Sequence, residues 1–137
     1  MDAAHHGAIV SKYDMGVKGW VLAVGKDSRF LFALRSTGDS EYHKVSSLTS
    51  YTLGEWYYVV GTKEGSKQYI YVNGKREAEA VNGGGSLANC EKCYIGQYRN
   101  KGFRFRGAID NVAIFDTALS DSEIQKRYQT GCSRIVE

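Results

Sequence analysis

The stretch at residues 69–75, Tyr-Ile-Tyr-Val-Asn-Gly-Lys, constrains the fold of this chain more than any other. Its first four residues are aromatic or β-branched, types that favour strands. Asn73-Gly74 accepts the positive φ angles that a type I′ hairpin turn requires. The sequence therefore predicts a tight hairpin with a return strand over roughly residues 75–80. A hairpin of this kind joins antiparallel strands only, since parallel strands need a much longer connection.

Several other short segments alternate apolar and polar residues in the same way. Residues 19–24 and 30–35 form a predicted pair of strands, joined by the turn residues Gly25, Asp27 and Ser28. Trp20 and Trp56 begin apolar alternations, so we expect both in the core. The remaining predicted strands cover residues 8–12, 56–62, 94–98 and 104–115, with a short one around 42–45.

One helix is predicted near the end of the chain. Ser120 and Glu123 have the spacing of a capping box, and Leu119 and Ile124 occupy the positions of a hydrophobic staple. Gly131 fits the position just after a helix. The predicted helix therefore has about ten residues, and we expect it to pack at the rim of a sheet.

These elements predict an all-β fold, a two-sheet antiparallel jelly-roll sandwich with one short C-terminal helix. The sequence shows no alternation of strands with helices, so it does not predict a parallel nucleotide-binding sheet. The 137 residues suggest a single domain spanning 1–137.

Composition excludes several classes of function. The formal charge is +3, and the basic residues are spread along the chain, so no case for nucleic acid arises. The longest apolar run is far too short for a membrane span, which argues against membrane insertion. Residues 1–14 lack the basic start and apolar stretch of a secretory signal.

The chain has three cysteines, Cys90, Cys93 and Cys132. An odd number cannot be paired completely within one chain, so it does not indicate a disulfide framework. A structural zinc site needs four ligands, and only Cys132 and three scattered histidines could complete the Cys-x-x-Cys pair. Either one disulfide plus a spare thiol, or three free thiols, fits the count. The sequence leaves this pairing open.

The order of motifs resembles a known family. A Gly-Glu-Trp strand leads to the Tyr-Val-Asn-Gly-Lys hairpin, and then follow "YIGQYRN", "GAIDNVAIFD" and the helix start "LSDSEI". Together they are similar to laminin-G-like jelly-roll domains of the concanavalin A-like lectin/glucanase superfamily, over roughly residues 8–130. Several motifs in the right order are more specific than any one of them.

The resemblance departs at the start of the chain, where the family usually has one or more further strands. We therefore expect a fragment of a larger polypeptide that lacks its N-terminal strand. The resemblance also implies an extracellular or cell-surface location, with other domains of the parent polypeptide as neighbours.

Asp110 is the residue on which an enzyme hypothesis depends. Hydrolases of this superfamily carry Glu-x-Asp-x-x-Glu on a strand, because retaining glycosidases need paired carboxylates. With Asp110 at the centre, the flanking positions are Ala108 and Ala113. The sequence therefore predicts no enzyme activity, and Asp110 is interpreted as a buried structural acid that accepts hydrogen bonds.

Calcium is the one cofactor that the resemblance keeps open, since some members of the superfamily bind it at the rim of the sandwich. The candidate ligands are Asp14, Asp110, Asn111 and Asp116. Calcium wants six to eight oxygens, and the alternative interpretation of these residues is hydrogen-bonded loop anchors.

The function implied by the resemblance is a non-catalytic carbohydrate-binding or adhesion module, with a glycan or an extracellular protein as partner. A protein-interaction or structural accessory domain, and a non-catalytic part of a glycoside hydrolase, are the alternatives. Sugar binding wants aromatic platforms edged by planar polar groups. The candidates for it are Arg35, Tyr42, Tyr98, Arg99, Asn100 and Arg104.

Overall fold

A computed structural model describes residues 7–12, 18–87, 92–98 and 103–136, with side chains up to residue 131. It contains two antiparallel sheets and a C-terminal helix, which confirms the predicted fold class. The elements are β1 (Gly7–Lys12), β2 (Gly19–Val24), β3 (Arg29–Arg35), β4 (His43–Ser50), β5 (Val59–Glu64), β6 (Lys67–Val72), β7 (Lys75–Val81), β8 (Tyr94–Ile95) and α1 (Asp121–Val136).

The two sheets pack face to face around one main core. The five-stranded sheet has the order β4-β3-β2-β1-β8, and the three-stranded sheet has the order β5-β6-β7. Phe30, Phe32 and Leu34 alternate along β3 and bury their side chains in a cluster with Ile70 and Val72 of β6. Because successive side chains of a strand point to opposite faces, the residues between them on β3 lie on the outer face of the five-stranded sheet.

The β6–β7 hairpin forms as the sequence predicts. Asn73 and Gly74 have φ angles of 51° and 81°, the left-handed values that a type I′ turn requires. Asn73 also holds the turn to the start of β5, because its amide donates to the Tyr58 carbonyl at 2.8 Å and its side-chain oxygen accepts from the Tyr58 amide at 2.9 Å. The turn is therefore fixed to the neighbouring strand as well as closed on itself.

Two contacts set the spacing between the sheets. A Cβ added to Gly61 of β5 would lie 2.5 Å from Cγ of Phe32, so only glycine allows this close approach. Gln68 of β6 is fully buried, and its side-chain nitrogen donates to the carbonyls of His43 at 3.0 Å and Phe32 at 3.3 Å. Asn82 donates to the other end of the same amide at 3.2 Å, so Gln68 crosses the sandwich with all its partners present.

A carboxylate joins the sheets at one edge. Oε1 of Glu77, on β7, accepts hydrogen bonds from the amides of Leu48 at 3.0 Å and Thr49 at 2.8 Å. The Thr49 hydroxyl donates to the other oxygen. β4 is longer than the predicted strand around 42–45 and reaches Ser50. The residues beyond the predicted strand are mostly polar. In the structure the pairing with β3 and the Glu77 carboxylate supply hydrogen bonds to this segment.

The prediction that Trp56 belongs to the core is wrong, whereas Trp20 does pack against it. Trp56 is 63% exposed, and β5 begins only at Val59. Its neighbour Tyr57 takes the inward position and packs on Phe30, with the ring centroids 5.2 Å apart. Tyr57 fills the space over Phe30, and Trp56 stays outside the core in the segment before β5.

The predicted strand at 104–115 is also wrong. Only Arg104 forms a bridge, with Ala8 of β1, and the Phe105 amide donates to the Gly96 carbonyl at 2.8 Å. Beyond Phe105 the backbone is irregular, and Asn111 has a left-handed φ of 55°. Within the described residues this segment has no second strand to supply hydrogen bonds, so its alternating pattern does not produce a strand.

Asp110 lies in that irregular segment, and the expectation that it is a buried acid is wrong. The residue is exposed. Its Oδ1 accepts a hydrogen bond from the amide of the next residue, Asn111, at 2.8 Å. The interpretation that its carboxylate binds a backbone amide is confirmed, but this bond is local and exposed.

Helix α1 begins as predicted and ends later. The Glu123 amide donates to the Ser120 hydroxyl at 3.2 Å, which confirms the N-terminal cap. The helix continues to Val136, so the predicted end at Gly131 is wrong. A glycine inside a helix costs only about 1 kcal/mol relative to alanine, which is too little to end the helix by itself.

Candidate functional site

The outer face of the five-stranded sheet presents an open surface on β3 and β4. In the strand register Leu31 pairs with Ser46, and Ala33 pairs with Lys44. We use the name β3–β4 surface for this patch and the residues at its two ends: Leu31, Ala33, Arg35, Tyr42, Lys44 and Ser46. Leu31 and Ala33 are half-buried, so small apolar groups form its floor and polar groups surround them.

One side of this face is closed by Tyr98. Its ring packs over the buried residues Ala8, Val21 and Ala23 of the neighbouring strands. Phe103 contacts the Tyr98 ring edge-on, with centroids 5.0 Å apart, and its carbonyl accepts from the Ala8 amide at 2.8 Å. The β1 and β2 part of the outer face is therefore covered, whereas the β3–β4 part is open.

Two of the predicted site residues meet at one end of the β3–β4 surface. The guanidinium carbon of Arg35 lies 6.0 Å from the centre of the Tyr42 ring. Nε of Arg35 donates to the Asp39 carbonyl at 3.1 Å. A guanidinium has five N–H donors, so Arg35 keeps further donors for a ligand.

The loop that positions this pair is held by Asp39. Its carboxylate accepts from the Ser36 hydroxyl at 2.5 Å and from the Ser36 amide at 2.9 Å. These bonds, with a smaller contribution from His43, lower the pKa of Asp39 to about 2. His43 lies 3.4 Å from the same carboxylate. The loop is thus a fixed support for Arg35.

The other end of the β3–β4 surface is a cavity of about 230 Å³ beside the β2–β3 turn. It is lined by Gly25, Lys26, Asp27, Leu31, Lys44 and Ser46. Leu31 and the Arg35 end are four residues apart on β3, about 13 Å. This length is that of a short oligosaccharide.

The other predicted site residues are not all brought to this surface. Arg104 is exposed beside β1, at the bridge with Ala8. Arg99 and Asn100 lie outside the described residues. The structure therefore groups Arg35 with Tyr42, and places Tyr98 on the neighbouring β1–β2 part of the same face.

The candidate calcium ligands show no common site in the part of the chain that the structure describes. Asp110, Asn111 and Asp116 are exposed, and Asp14 is not among the described residues. No group of three histidine, cysteine, aspartate or glutamate side chains within those residues could hold a metal ion.

Of the cysteines, Cys93 is an exposed free thiol, and partial burial raises its pKa. Cys90 and the side chain of Cys132 fall outside the described residues, so the pairing prediction remains open for them.

A second concavity, of about 610 Å³, lies between the β6–β7 turn and α1. Two of the charged groups that line it, Arg76 and Asp121, pair with each other. Arg76 lies 3.7 Å from Asp121, and the Tyr71 hydroxyl donates to Asp121 at 2.6 Å. Burial, then this carboxylate, raises the pKa of Tyr71 to about 12. These contacts to Asp121 attach the start of the helix to the hairpin.

Sequence reasoning missed Lys26, Leu31, Ala33, Lys44 and Ser46 as site residues. The available signal was the alternation along β3, which places 31, 33 and 35 on one face. The partners on β4 could not be found without the register, since that strand was predicted too short.

The fold is a two-sheet antiparallel β-sandwich of the jelly-roll type, with an open polar surface on β3 and β4. The profile of the laminin-G family within the concanavalin A-like lectin/glucanases superfamily matches residues 2–125, and the chain belongs to this superfamily. Its sequence is 24% identical to human pappalysin-1 and 23% identical to mouse pappalysin-1, each over 124 residues. That match covers 82% of this chain and 8% of the human relative.

Solved structures with the same fold include two binding modules. The carbohydrate-binding module CBM40 of the Ruminococcus gnavus IT-sialidase, bound to α2,3-sialyllactose, has a TM-score of 0.70 at 15% identity and covers 93% of this chain and 77% of that one. The binding domain of Paraclostridial Mosquitocidal Protein 1 has a TM-score of 0.66 at 14% identity, over 96% and 34%.

A third solved structure is also similar. An S-layer domain-containing protein from Clostridium thermocellum has a TM-score of 0.51 at 26% identity, covering 93% of this chain and 65% of that one. In the described part of this chain, the helix is neither long enough nor apolar enough to cross a membrane.

Proposed function

We propose that this chain is a non-catalytic carbohydrate-binding module, and that it binds saccharides on the β3–β4 surface. One observation carries the proposal: an apolar floor of Leu31 and Ala33 with the Arg35–Tyr42 pair at its edge. Saccharides present an apolar C–H face and a rim of hydroxyls, and such a floor edged by planar donors is complementary to both. The similarity to a CBM40 domain supports this assignment at the level of fold.

Binding at this surface needs no movement of the sheet. The sugar face rests on Leu31 and Ala33, Tyr42 adds an aromatic contact at one end, and the free N–H groups of Arg35 donate to ring hydroxyls. Because Asp39 fixes the Arg35 loop through its hydrogen bonds, little side-chain entropy is lost on binding.

The setting we propose is a larger extracellular or cell-surface protein. The similarity to pappalysin-1 over 8% of that protein and to an S-layer domain-containing protein supports a module within a longer chain. The absence of Glu-x-Asp-x-x-Glu around Asp110 supports a non-catalytic role.

A glycan array on the folded chain, run with and without calcium, tests both the function and the calcium hypothesis. Tyr42→Ala and Arg35→Gln should each weaken the best hit by about 5- to 30-fold, the effect of losing 1–2 kcal/mol of contact. Tyr69→Ala is the matched control, because Tyr69 stacks on Arg76 in the other sheet. Binding that survives both site variants unchanged would remove the β3–β4 surface as the site.

A protein-interaction role is the second candidate, and the segment after Phe105 favours it. Val112, Ile114 and Phe115 are 39%, 58% and 45% exposed. Apolar groups exposed together often mark a contact with another chain. A chain that binds no glycan but pulls down a partner through Ile114 would support this role over the first.

A further inference from the structure

The cavity at the β2–β3 end of the β3–β4 surface has two lysines and one aspartate in its lining, and so an excess of one positive charge. Lys26 comes from the turn and Lys44 from β4, and both line the cavity. Both are exposed. Within the described ranges, the ion pairs are His43–Asp39 and Arg76–Asp121, so neither lysine forms a salt bridge there.

Asp27, the acid in this cavity, has a structural task. Its Oδ1 accepts a hydrogen bond from the Arg29 amide at 3.2 Å, within the turn itself. A Cβ on Gly25 would lie 2.9 Å from that oxygen and 3.2 Å from the Leu31 side chain. The glycine therefore lets the Asp27 turn fold down onto Leu31. The Asp27 carboxylate offsets one of the two lysine charges in the cavity, and one positive charge remains in excess.

The remaining groups of the cavity suit one sugar unit. Leu31 supplies an apolar base and Ser46, its partner in the register, a hydroxyl. The volume of about 230 Å³ is below the 300–1,000 Å³ or so of pockets for drug-sized ligands, which matches a single ring rather than a chain of rings. The rest of an oligosaccharide would extend along β3 towards Arg35.

We propose that this cavity binds the negatively charged unit of an acidic saccharide, with Lys26 and Lys44 at its carboxylate or sulfate and Leu31 beneath its ring. The proposal rests on the proposed carbohydrate-binding function and adds the class of ligand. Two ammonium groups from separate elements can approach an anion from two sides, whereas a neutral sugar would leave the excess positive charge of the cavity without a partner. Arg35 extends the same sign of charge to the far end of the surface.

The negative charge of such a saccharide can come from the carboxylate of a uronic or other sugar acid, or from the sulfate of a sulfated sugar. The test therefore uses three oligosaccharides of equal length: one with a terminal glucuronate, one with a terminal neutral glucose, and one with that glucose 6-sulfated. Binding to the full chain is measured by calorimetry at low salt and again at 0.5 M NaCl.

The expected result is binding of an acidic probe at least about tenfold tighter than the neutral one, a ratio that falls at high salt because exposed charges are screened. The double variant Lys26→Gln/Lys44→Gln should bring that ratio close to one. The control Lys63→Gln/Lys67→Gln removes the same charge from the three-stranded sheet and should keep it. Circular dichroism shows that each variant is folded.

Each outcome distinguishes this proposal from the one on which it rests. Binding of all three probes with equal affinity would overturn the acidic-ligand proposal and leave the carbohydrate-binding function in place. Failure of every probe, and of the glycan array, would overturn both. An equal loss in the two double variants would overturn the cavity as the source of the preference. Preference for only the glucuronate or only the sulfated probe supports the proposal and assigns the source.

Discussion

Residues 67–81 and residues 104–115 both alternate like strands in the sequence, and the structure treats them differently. In the first segment β6 pairs with β5 on one side and β7 on the other, and Ile70 and Val72 are buried. In the second, one bridge to Ala8 is formed and Phe105 packs against the core, but Val112, Ile114 and Phe115 are exposed. An alternating pattern reports a local preference, whereas hydrogen bonds and burial come from neighbouring strands.

Hydrogen exchange should show the largest difference between these segments. Amides of β6 should exchange only through opening that approaches global unfolding, about 5–15 kcal/mol for a domain. Amides of residues 109–115 should exchange near their intrinsic rates, because no sheet hydrogen bonds protect them. Mass-spectrometric exchange resolves both segments. Equal protection would mean that residues 109–115 form a strand in solution.

The same substitution in both segments gives the next largest contrast. Ile70→Ala should cost about 2–5 kcal/mol of unfolding free energy, because Ile70 is fully buried between the sheets. Ile114→Ala should cost less than about 0.5 kcal/mol, since its side chain is 58% exposed. Urea unfolding measures both. A cost at Ile114 near that at Ile70 would mean that the segment is packed against a partner.

The hairpin turn can be separated from its contact with α1. Gly74→Ala should cost about 2–3 kcal/mol, because the residue has a left-handed φ and its Cβ would lie 3.2 Å from Cβ of Tyr128. Gly38→Ala is the control, with a similar φ of 91° and open space around it, and should cost about 1 kcal/mol. Thermal unfolding compares them. Equal losses would show that the turn does not bear on the helix.

The smallest effect compares two aspartates. Asp39 has its pKa lowered to about 2 from 3.8, so its charged form is bound more strongly by the folded chain. That stability is present above the unfolded pKa and is lost as pH falls from about 4 to about 2. Asp39→Asn should flatten this part of the stability–pH curve.

Asp110→Asn is the control for the acid titration, because Asp110 is exposed in the irregular segment. Its curve should follow that of the unmodified chain. A matching flattening in both variants would mean that the acid-sensitive group is neither of them.

The sequence predicts correctly those elements whose signals lie in neighbouring residues. The Asn73-Gly74 turn, the Ser120 cap and the β2–β3 pair were all predicted, since each depends on residues close together in the chain. Arg35 and Tyr42 were predicted as site residues, and the structure places them in contact.

The failures share one cause, which is dependence on distant partners. Trp56 is exposed because Tyr57 claims the space over Phe30, and β4 extends because Glu77 from β7 binds its amides. The cavity with Lys26 and Lys44 arises only when a turn and a separate strand are in register. Neither the spacing nor the type of these residues signals that arrangement.

The bond between Glu77 and β4 has a consequence for how this protein behaves in concentrated solution. β4 is the outermost strand at its end of the described sheet, and an uncovered edge is where a second molecule adds a strand and begins to aggregate. With the amides of Leu48 and Thr49 held by a carboxylate, an incoming strand would have to displace a charged group before it could pair with these two amides. We therefore expect Glu77 to oppose strand addition at this part of the edge while it fastens the two sheets.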